Sequence, residues 1–592
     1  QLVLDRQLPS GDGIYPVQWG PWHFRQSIDY SMTANRAILD LASKYREDLL
    51  FNFWRMGRNS IDRGSNDTWT TTPVTIAAAQ KAIGATPVAE APSTGAPAGA
   101  GGGGRGGRGG CTGPNLSVCA SILRDPMRRD PRAFVIPVNQ PEFAQALDFL
   151  QSLSFAGIEI SRSTADFSIN GRNYPNGSFV VRADQAFRPH VLDMFEPQWH
   201  PMDLQYPGGP PKRPYDNAGY TLAFQMGFRF DRILDPLPPD LPLVAVTEEK
   251  ITPLPVPIDA RAKALRISPA SNDAFLAVNR LLKAEQHVER LADGEFLVSG
   301  TPASIQILGD LSRQRGLRTY QARAGDKGTP LTPLRVGLYD QYGGSMPAGW
   351  GRWIFEHYEV PFERVFAPRL NAGDLRKDFD VLVFYGGIPT TGAAGRTGGD
   401  RGGRGGADPA TLPEEYRAQI GRTTMDTTLP QLKAFLEQGG RIVAIGRSAV
   451  DLAQDLGLPI DNQVAGISQD KYYIPGSVLQ VTVDTTQPAA AGAHPVTDIF
   501  FDNSPVLRLG ADAAASGVRK IAWFSAAEPL RSGWAIGQPY LKDGVEMASA
   551  QVGRGTAYFY APEMTFRAQP EGTFKFILNT FYGDRQEVRG ER

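Results

Sequence analysis

LPQLKAFLEQGGRIVAIGRSAVDL, residues 429–452, contains the three consecutive elements that indicate the fold of the C-terminal half. Leucine and phenylalanine recur at helical spacing as far as the Gly439–Gly440 pair, which is a typical helix stop. The apolar run 441–445 predicts a strand, and Gly446 begins a tight turn into a second helix. Strand, tight turn and helix in this order are typical of α/β folds that hold a nucleophile above a sheet.

This arrangement resembles the class I glutamine-amidotransferase-like fold over residues 334–582. In that family the turn carries a Cys or Ser nucleophile, and a His-x-Glu pair follows later in the chain. Here Gly446 stands in the nucleophile's place, and Ser448 lies two positions further on. The resemblance therefore implies a binding or scaffolding domain, and we assign no catalytic residue.

An independent amidotransferase-like hydrolase that uses an atypical nucleophile, Ser448, is the alternative. It requires a histidine and a carboxylate beside Ser448. His357-Tyr358-Glu359 has the His-x-Glu spacing but precedes the turn, whereas His494 follows the turn without the Glu. Whether the chain is an enzyme is left open by the sequence.

Strands at 335–339, 380–385, 441–445 and 555–560 alternate with helical stretches, which predicts a doubly wound, flavodoxin-like parallel sheet. Ligands of such sheets lie beyond the carboxyl ends of the strands. We therefore expect the ligand-binding residues to be Tyr342, Trp350, Gly386, Gly387, Gly446, Arg447 and Ser448.

Arg447 and the first amides of the helix after Gly446 suit a carboxylate, so a peptide C-terminus is the ligand to test first. The alternative is that Arg447 pairs with a nearby acid on the surface.

The middle of the chain, residues 132–332, contains an internal repeat. Strand, helix, strand and strand patterns occur at 133–181 and again at 264–298. Phe143 and Phe275 are 132 positions apart, and so are Leu150 and Leu282. We predict two β-α-β-β copies that form an α/β accessory domain.

The N-terminal segment predicts a long amphipathic helix after an aromatic loop, and such a helix needs a partner surface. WGPWHFRQSIDYSMTANRAILDLASKYREDLLFNFWRMGRNSI, residues 19–61, resembles the closing segment of a large bacterial zinc-carboxypeptidase-like domain. The resemblance implies metallocarboxypeptidase chemistry, peptide hydrolysis and export to the periplasm or the medium. The expected partners are a zinc-carboxypeptidase-like catalytic domain, upstream or on a separate polypeptide, and a peptide substrate.

The zinc ligands of that family are a His-x-x-Glu pair and a distant His, which leave a fourth position for water. None of the six histidines is followed by Glu three positions later. His190, Asp193 and His200 are the weaker metal candidate, because these residues also suit a Pro-rich ordered loop. We expect no metal site and no cofactor in this chain, with zinc only in the catalytic partner.

Residues 63–131 are rich in Thr, Ala and Gly, which predicts a flexible insertion; a second glycine-rich tract lies at 397–407. Arg-Gly-Gly tracts also occur in RNA-binding tails, but here no aromatic residues are interleaved. Cys111 and Cys119 are the two cysteines of the chain and predict a local disulfide, which favours an oxidising compartment.

The 592 residues carry a net charge of −1, which gives no argument for nucleic-acid binding, and no apolar run is long enough to span a membrane. The chain begins with Gln1, from which we expect a processed chain or a fragment. The predicted organisation is multidomain α/β: a carboxypeptidase-like terminal helix (1–62), the insertion (63–131), the duplicated domain (132–332) and an amidotransferase-like domain (333–585).

Overall fold

The computed structural model describes residues 2–4, 20–84, 111–206, 208–388 and 412–583. Its first elements are a strand pair and four helices: β1 (Leu2–Leu4), β2 (Gly20–Trp22), α1 (Phe24–Lys44), α2 (Arg46–Gly64), α3 (Pro73–Ala82) and α4 (Leu116–Leu123). Helices α1 and α2 occupy the stretch for which a long helix is predicted. The tracts at 101–110 and 397–407 lie outside the described residues.

The prediction of a flexible insertion throughout 63–131 is wrong at both ends. Thr72 caps α3 with its side chain, and Pro73 occupies the first helical position. Asp130 accepts hydrogen bonds from Thr68 at 2.8 Å and from Arg188 at 2.9 Å, which attaches this segment to the following domain. These capping and long-range contacts order the segment, and its composition alone did not reveal them.

The first repeated unit has a mixed set of short elements: β3 (Ala133–Ile136), α5 (Phe143–Phe155), β4 (Ile160–Ser163), β5 (Phe167–Ile169), β6 (Arg172–Tyr174), β7 (Phe179–Arg182), α6 (Arg188–Phe195), α7 (Leu222–Met226), β8 (Asp231–Ile233) and β9 (Leu243–Val246). The second unit follows it: β10 (Ala264–Ile267), α8 (Asp273–Lys283), β11 (Val288–Arg290), β12 (Phe296–Ser299), α9 (Pro302–Arg315), β13 (Thr319–Gln321) and β14 (Thr329–Pro330).

The two units have the same sheet topology. The first sheet has the order β8-β3-β7-β4-β9 and the second β13-β10-β12-β11-β14, and every pairing in both is antiparallel. Helices α5 and α8 follow the first strand of their unit, and most of their apolar residues are buried in the cores. The predicted duplication is therefore confirmed.

The C-terminal part is built on one large sheet: β15 (Val336–Tyr339), α10 (Met346–His357), β16 (Phe362–Val365), α11 (Ala367–Asn371), α12 (Leu375–Asp378), β17 (Val381–Phe384), α13 (Glu414–Arg417), α14 (Thr428–Glu437), β18 (Arg441–Ile445), α15 (Arg447–Asp455), β19 (Ile460–Asn462), β20 (Ser477–Val483), β21 (Val496–Phe501), β22 (Leu507–Leu509), β23 (Val518–Trp523), β24 (Leu530–Ser532), β25 (Val545–Val552), β26 (Gly555–Tyr560) and α16 (Glu571–Phe581).

The main path of this sheet runs β16-β15-β17-β18-β26-β25-β23-β20-β21. Its first five strands are parallel and the remainder are antiparallel. Helices α10 and α16 contribute buried apolar residues to the core on one face of the sheet, and α14 and α15 to the core on the other face. The sheet is thus doubly wound, as predicted, and the whole chain is multidomain α/β.

Helix α16 joins the C-terminal sheet to both repeated units. Nine consecutive residues of this helix, 573–581, are buried. Its apolar side chains share one core with the sheet and with the second unit. Lys575 Nζ donates to Ala270 O at 2.7 Å and lies 3.5 Å from Glu142 of the first unit. Arg290 of the second unit donates to Asn579 Oδ1 at 2.6 Å.

Among the described residues, no helix combines the length and the apolar character needed to cross a membrane.

Lys575→Met is expected to lower the free energy of unfolding by about 1–3 kcal/mol, because it removes the ammonium beside the buried Glu142 and leaves the half-exposed His494 as its partner. Urea denaturation measures this. Arg508→Met is the matched control. Both side chains of the Arg508–Asp461 ion pair are exposed, so this pair contributes about 1 kcal/mol or less to the free energy of unfolding. A cost for Lys575→Met no greater than that of the control would contradict the role given to α16.

Cys111 and Cys119 are joined by a disulfide, and Cys119 lies buried on α4. Protein isolated without reductant is expected to show no free thiol. The loop-entropy estimate gives the crosslink about 2–3 kcal/mol against the unfolded segment. A thiol titration that finds two reactive cysteines per native chain would rule out the crosslink.

Candidate functional site

The turn at Gly446 stands at the carboxyl end of β18, a central strand with β17 on one side and β26 on the other. Gly446 has φ 66° and ψ −134°, a conformation that a side chain makes costly. Its amide donates to Tyr560 O at 2.7 Å, and α15 begins at the next residue. The predicted strand, glycine turn and helix are therefore present.

The other residues proposed as ligand contacts stand at or near the same edge without forming one closed site. Tyr342 is exposed and meets Tyr416, with ring centroids 6.4 Å apart. Trp350 lies within α10. Gly386 and Gly387 follow β17, and a Cβ on Gly387 would fall 2.2 Å from the Tyr339 ring. The absence of a side chain at Gly387 therefore lets the Tyr339 ring pack against the backbone at this position.

Arg447 and Ser448 do not form a catalytic pair with histidine. The Arg447 guanidinium is exposed and lies 3.8 Å from Asp451, one turn along α15. Ser448 is buried, and within the described chain its hydroxyl has no hydrogen-bond partner. His357 stacks on Trp353 at 5.1 Å. The geometry gives no support to Ser448 as a nucleophile.

Glu563 is the residue at this turn that the sequence interpretation missed. A Cβ on Gly446 would lie 3.8 Å from Glu563 Oε1. Ala561-Pro562-Glu563 directly follows β26, so its spacing matches His-x-Glu with Ala in place of His. The position of Glu563, three residues after the end of the predicted strand 555–560, was the signal available in the sequence.

Burial raises the pKa of Glu563 from 4.5 to about 7, with a smaller contribution from Asp502. In the unfolded chain the Glu563 carboxyl loses its proton near its ordinary pKa of 4.5, whereas in the folded chain it keeps the proton up to a pH of about 7. The stability that Glu563 contributes is therefore complete below about pH 4.5 and is lost as the pH rises to about 7.

Glu563→Gln is expected to match the wild-type stability near pH 4 and to exceed it by about 3 kcal/mol near pH 8, since the pKa is raised from 4.5 to about 7 and each pKa unit is worth about 1.4 kcal/mol. Denaturation curves across this range measure the difference. Glu528→Gln, at an exposed position, is the control and should show no such trend. A Glu563→Gln difference that is independent of pH would contradict the assignment.

A large groove lies elsewhere, between the first repeated unit and the C-terminal domain, with a volume of about 1180 Å³. One wall comes from α6 and residues 223–232, and the other from β21, Arg531 and the start of α16. Residues 70–75 and 127–131 form a rim. None of the seven residues proposed as ligand contacts lines this groove in the described part of the chain.

The walls of the groove are joined by direct backbone and side-chain contacts. Trp199 and Gly533 form a parallel β-bridge, and the Thr221 and Ser532 hydroxyls lie 2.8 Å apart. A Cβ on Gly227 would fall 2.9 Å from Gly572 Cα, so the first unit lies directly on α16. These contacts fix the spacing of the two walls.

The groove contains ion pairs on both walls. Arg232 lies 2.7 Å from Glu196, and Arg531 lies 3.3 Å from Asp498. Burial raises the pKa of both carboxyls even though each arginine lowers it. Phe224 is placed between the walls, with the Arg531 guanidinium 4.4 Å from its ring centre.

The residues present do not fit a zinc site. Within the described residues, no three His, Cys, Asp or Glu side chains are grouped so that they could hold a metal ion. The ring of His200 stacks on Trp534 at 4.7 Å, and Asp193 accepts hydrogen bonds from Gln198 and Tyr220. Of the weaker metal candidate, His190 and Asp193 thus lie on α6, and Asp193 and His200 are engaged by other side chains.

No known protein family matches the sequence, and no curated protein matches it. Solved structures that overlap part of the chain include a ThuA-like protein from Bacteroides uniformis, with 9% identity, 42% of this chain and 90% of that chain covered, and a TM-score of 0.26. A glutamine amidotransferase from Thermotoga maritima has 10% identity, coverages of 43% and 100%, and a TM-score of 0.25.

A GMP synthase component from Thermoplasma acidophilum has 12% identity, coverages of 42% and 96%, and a TM-score of 0.25. Amidotransferase-like proteins are thus among the structural neighbours. TM-scores this low carry no argument about function. None of these three neighbours is a carboxypeptidase, so that part of the resemblance remains a prediction.

Proposed function

We propose that this chain is a non-catalytic accessory region of an exported zinc-carboxypeptidase-like peptidase. In this proposal it docks through α1 and α2 on a catalytic domain, upstream or on a separate polypeptide, and positions peptide substrate for it. Zinc belongs to that domain. The observation that carries the proposal is the apolar surface of α1 and α2.

Helices α1 and α2 have 21 and 19 residues, so together they extend for about 60 Å. Within these helices Gly64 is the only buried residue. Large apolar side chains are exposed along their whole length, including Leu39 at 69% and Phe53 at 76%. A patch of this size marks a protein interaction surface.

The physical case for a docked partner rests on the hydrophobic effect. Burial of one such side chain contributes about 1.5–3 kcal/mol. At least ten of these side chains are exposed on the two helices, namely Phe24, Tyr30, Ile38, Leu39, Leu41, Leu50, Phe51, Phe53, Trp54 and Met56. The resemblance of residues 19–61 to the closing segment of a carboxypeptidase-like domain supports such a domain as the partner. The disulfide is in keeping with an exported protein.

The non-catalytic assignment is supported by the residues at the turn. Gly446 has no side chain that could attack a substrate, and Ala561 has no proton-transfer group. A hydrolase that uses Ser448 would need a base that the described residues do not place beside it.

We also propose that the turn at Arg447 and Ser448 binds a carboxylate when Glu563 is protonated. Glu563 stands beside the turn, so a bound carboxylate would meet like charge unless Glu563 is protonated. Because the pKa of Glu563 is raised to about 7, this binding should be stronger at acidic pH.

The docking proposal is tested with Leu39→Glu and Phe53→Glu, which place charges on the apolar surface. Each is expected to weaken association with the zinc-carboxypeptidase-like domain at least tenfold, measured by sedimentation or calorimetry. Asn52→Glu adds the same charge at an exposed polar position and serves as the control. Self-association of the chain through these helices, without binding to the domain, would contradict the proposal.

The purified chain alone is expected to hold no stoichiometric zinc and to release no C-terminal amino acid from peptides. Elemental analysis and a peptidase assay measure both properties. About one tightly bound zinc per chain would overturn the assignment of zinc to the partner.

A further inference from the structure

Arg229 is a cation of the groove without an acidic partner in the described residues. Its Nη2 donates to Asn139 O at 3.1 Å, and no carboxylate lies within ion-pair distance of its exposed guanidinium. Gln140 holds the backbone on both sides: Arg229 N donates to Gln140 Oε1 at 2.6 Å, and Gln140 Nε2 donates to Arg229 O at 3.0 Å. The base of this side chain is therefore fixed.

His494 lies close to the same short segment of chain. Its Nε2 is 3.0 Å from Glu142 Oε1, three residues after Asn139, and its ring is about half exposed, at 49%. Glu142 is buried beside Lys575, and both His494 and Lys575 line the groove. Its Nε2–H faces the Glu142 carboxylate, so the imidazolium form of His494 presents an Nδ1–H that has no partner in the described chain.

The acids of the groove are already engaged by other groups. Four of them have arginine partners, in the pairs Arg232–Glu196, Arg172–Asp231, Arg531–Asp498 and Arg188–Asp130. Asp193 accepts hydrogen bonds from Gln198 and Tyr220. Of the remaining cations that line the groove, Arg128 lies beside Asp125 and Lys575 beside Glu142, which leaves Arg229 and the Nδ1 side of His494 to bind an anion. The first turn of α16 lines the groove through Gly572 and adds the positive end of a helix dipole.

An apolar wall adjoins this cationic end. Phe224 and Phe230 are partly exposed, with ring centroids 6.2 Å apart, and Phe228 lies between them in sequence. All three line the groove together with Arg229. The volume of about 1180 Å³ exceeds the roughly 300–1,000 Å³ of small-molecule sites.

We propose that the groove binds the free carboxylate end of a peptide whose last side chain is apolar or aromatic. Arg229 and His494 hold the carboxylate, and Phe224 and Phe230 contact the side chain. The inference deepens the proposed function, because it rests on a peptide as ligand, but it requires no catalytic partner. The positive charge of Arg229, which no carboxylate of the described residues pairs with, favours this anionic ligand over a neutral oligosaccharide.

The test is calorimetry of the full chain with N-acetyl-Gly-Gly-Phe as the free acid and as the C-terminal amide. The acid is expected to bind at least tenfold more tightly than the amide. Arg229→Gln and His494→Gln should each bring the acid close to the affinity of the amide. Arg229→Gln changes an exposed side chain, so its melting temperature should equal that of the wild type.

Arg508→Gln is the matched control, because it removes an exposed arginine that does not line the groove and should leave the affinity unchanged. Equal binding of acid and amide, an acid preference that survives Arg229→Gln, or binding of an oligosaccharide such as cellotetraose instead of the peptide would overturn the inference. A chain that prefers the acid but does not associate with a carboxypeptidase-like domain contradicts the docking proposal alone. A chain that associates but shows no preference contradicts this inference alone.

Discussion

The burial of α16 on all sides is the constraint on which the rest of the structure depends. Its apolar residues complete the core under the parallel sheet, and Tyr560 of β26 donates a hydrogen bond to Phe576 O at 3.0 Å. Two of its polar residues meet the repeated units: Lys575 lies beside Glu142, and Asn579 accepts a hydrogen bond from Arg290. Burying these charges is costly unless each is paired, so the three parts must come together in one arrangement. The helix therefore determines how the units lie against the sheet.

The groove is a consequence of that arrangement. One of its walls belongs to the first unit and the other to the C-terminal domain, and their spacing is set by Gly227 against Gly572 and by the Trp199–Gly533 bridge. Glu142 illustrates the electrostatics: burial opposes its ionisation, but the His494 hydrogen bond and the Lys575 charge outweigh burial and hold its pKa below the usual value. The same pair that joins the domains also fixes the histidine proposed to bind ligand.

The sequence could predict features that depend on local spacing. The glycine turn at Gly446 and the repeat marked by Phe143 and Phe275 follow from periodicity and turn chemistry, and both are present. The groove could not be predicted, because Arg229 and His494 are far apart in the chain and converge only through tertiary contacts. The ordered ends of the segment 63–131 were missed for a similar reason, since Asp130 is held by Arg188.

In this account the C-terminal sheet is a scaffold whose turn carries no nucleophile, and the groove beside it is the ligand site. Hydrogen–deuterium exchange of the full chain, with and without a peptide free acid, tests where the ligand binds. We expect slower exchange at residues 223–232 and 494–498 when peptide is present at pH 8, where Glu563 is ionised and disfavours a carboxylate at 446–452. Slower exchange at 446–452 with no change along the groove would contradict the account.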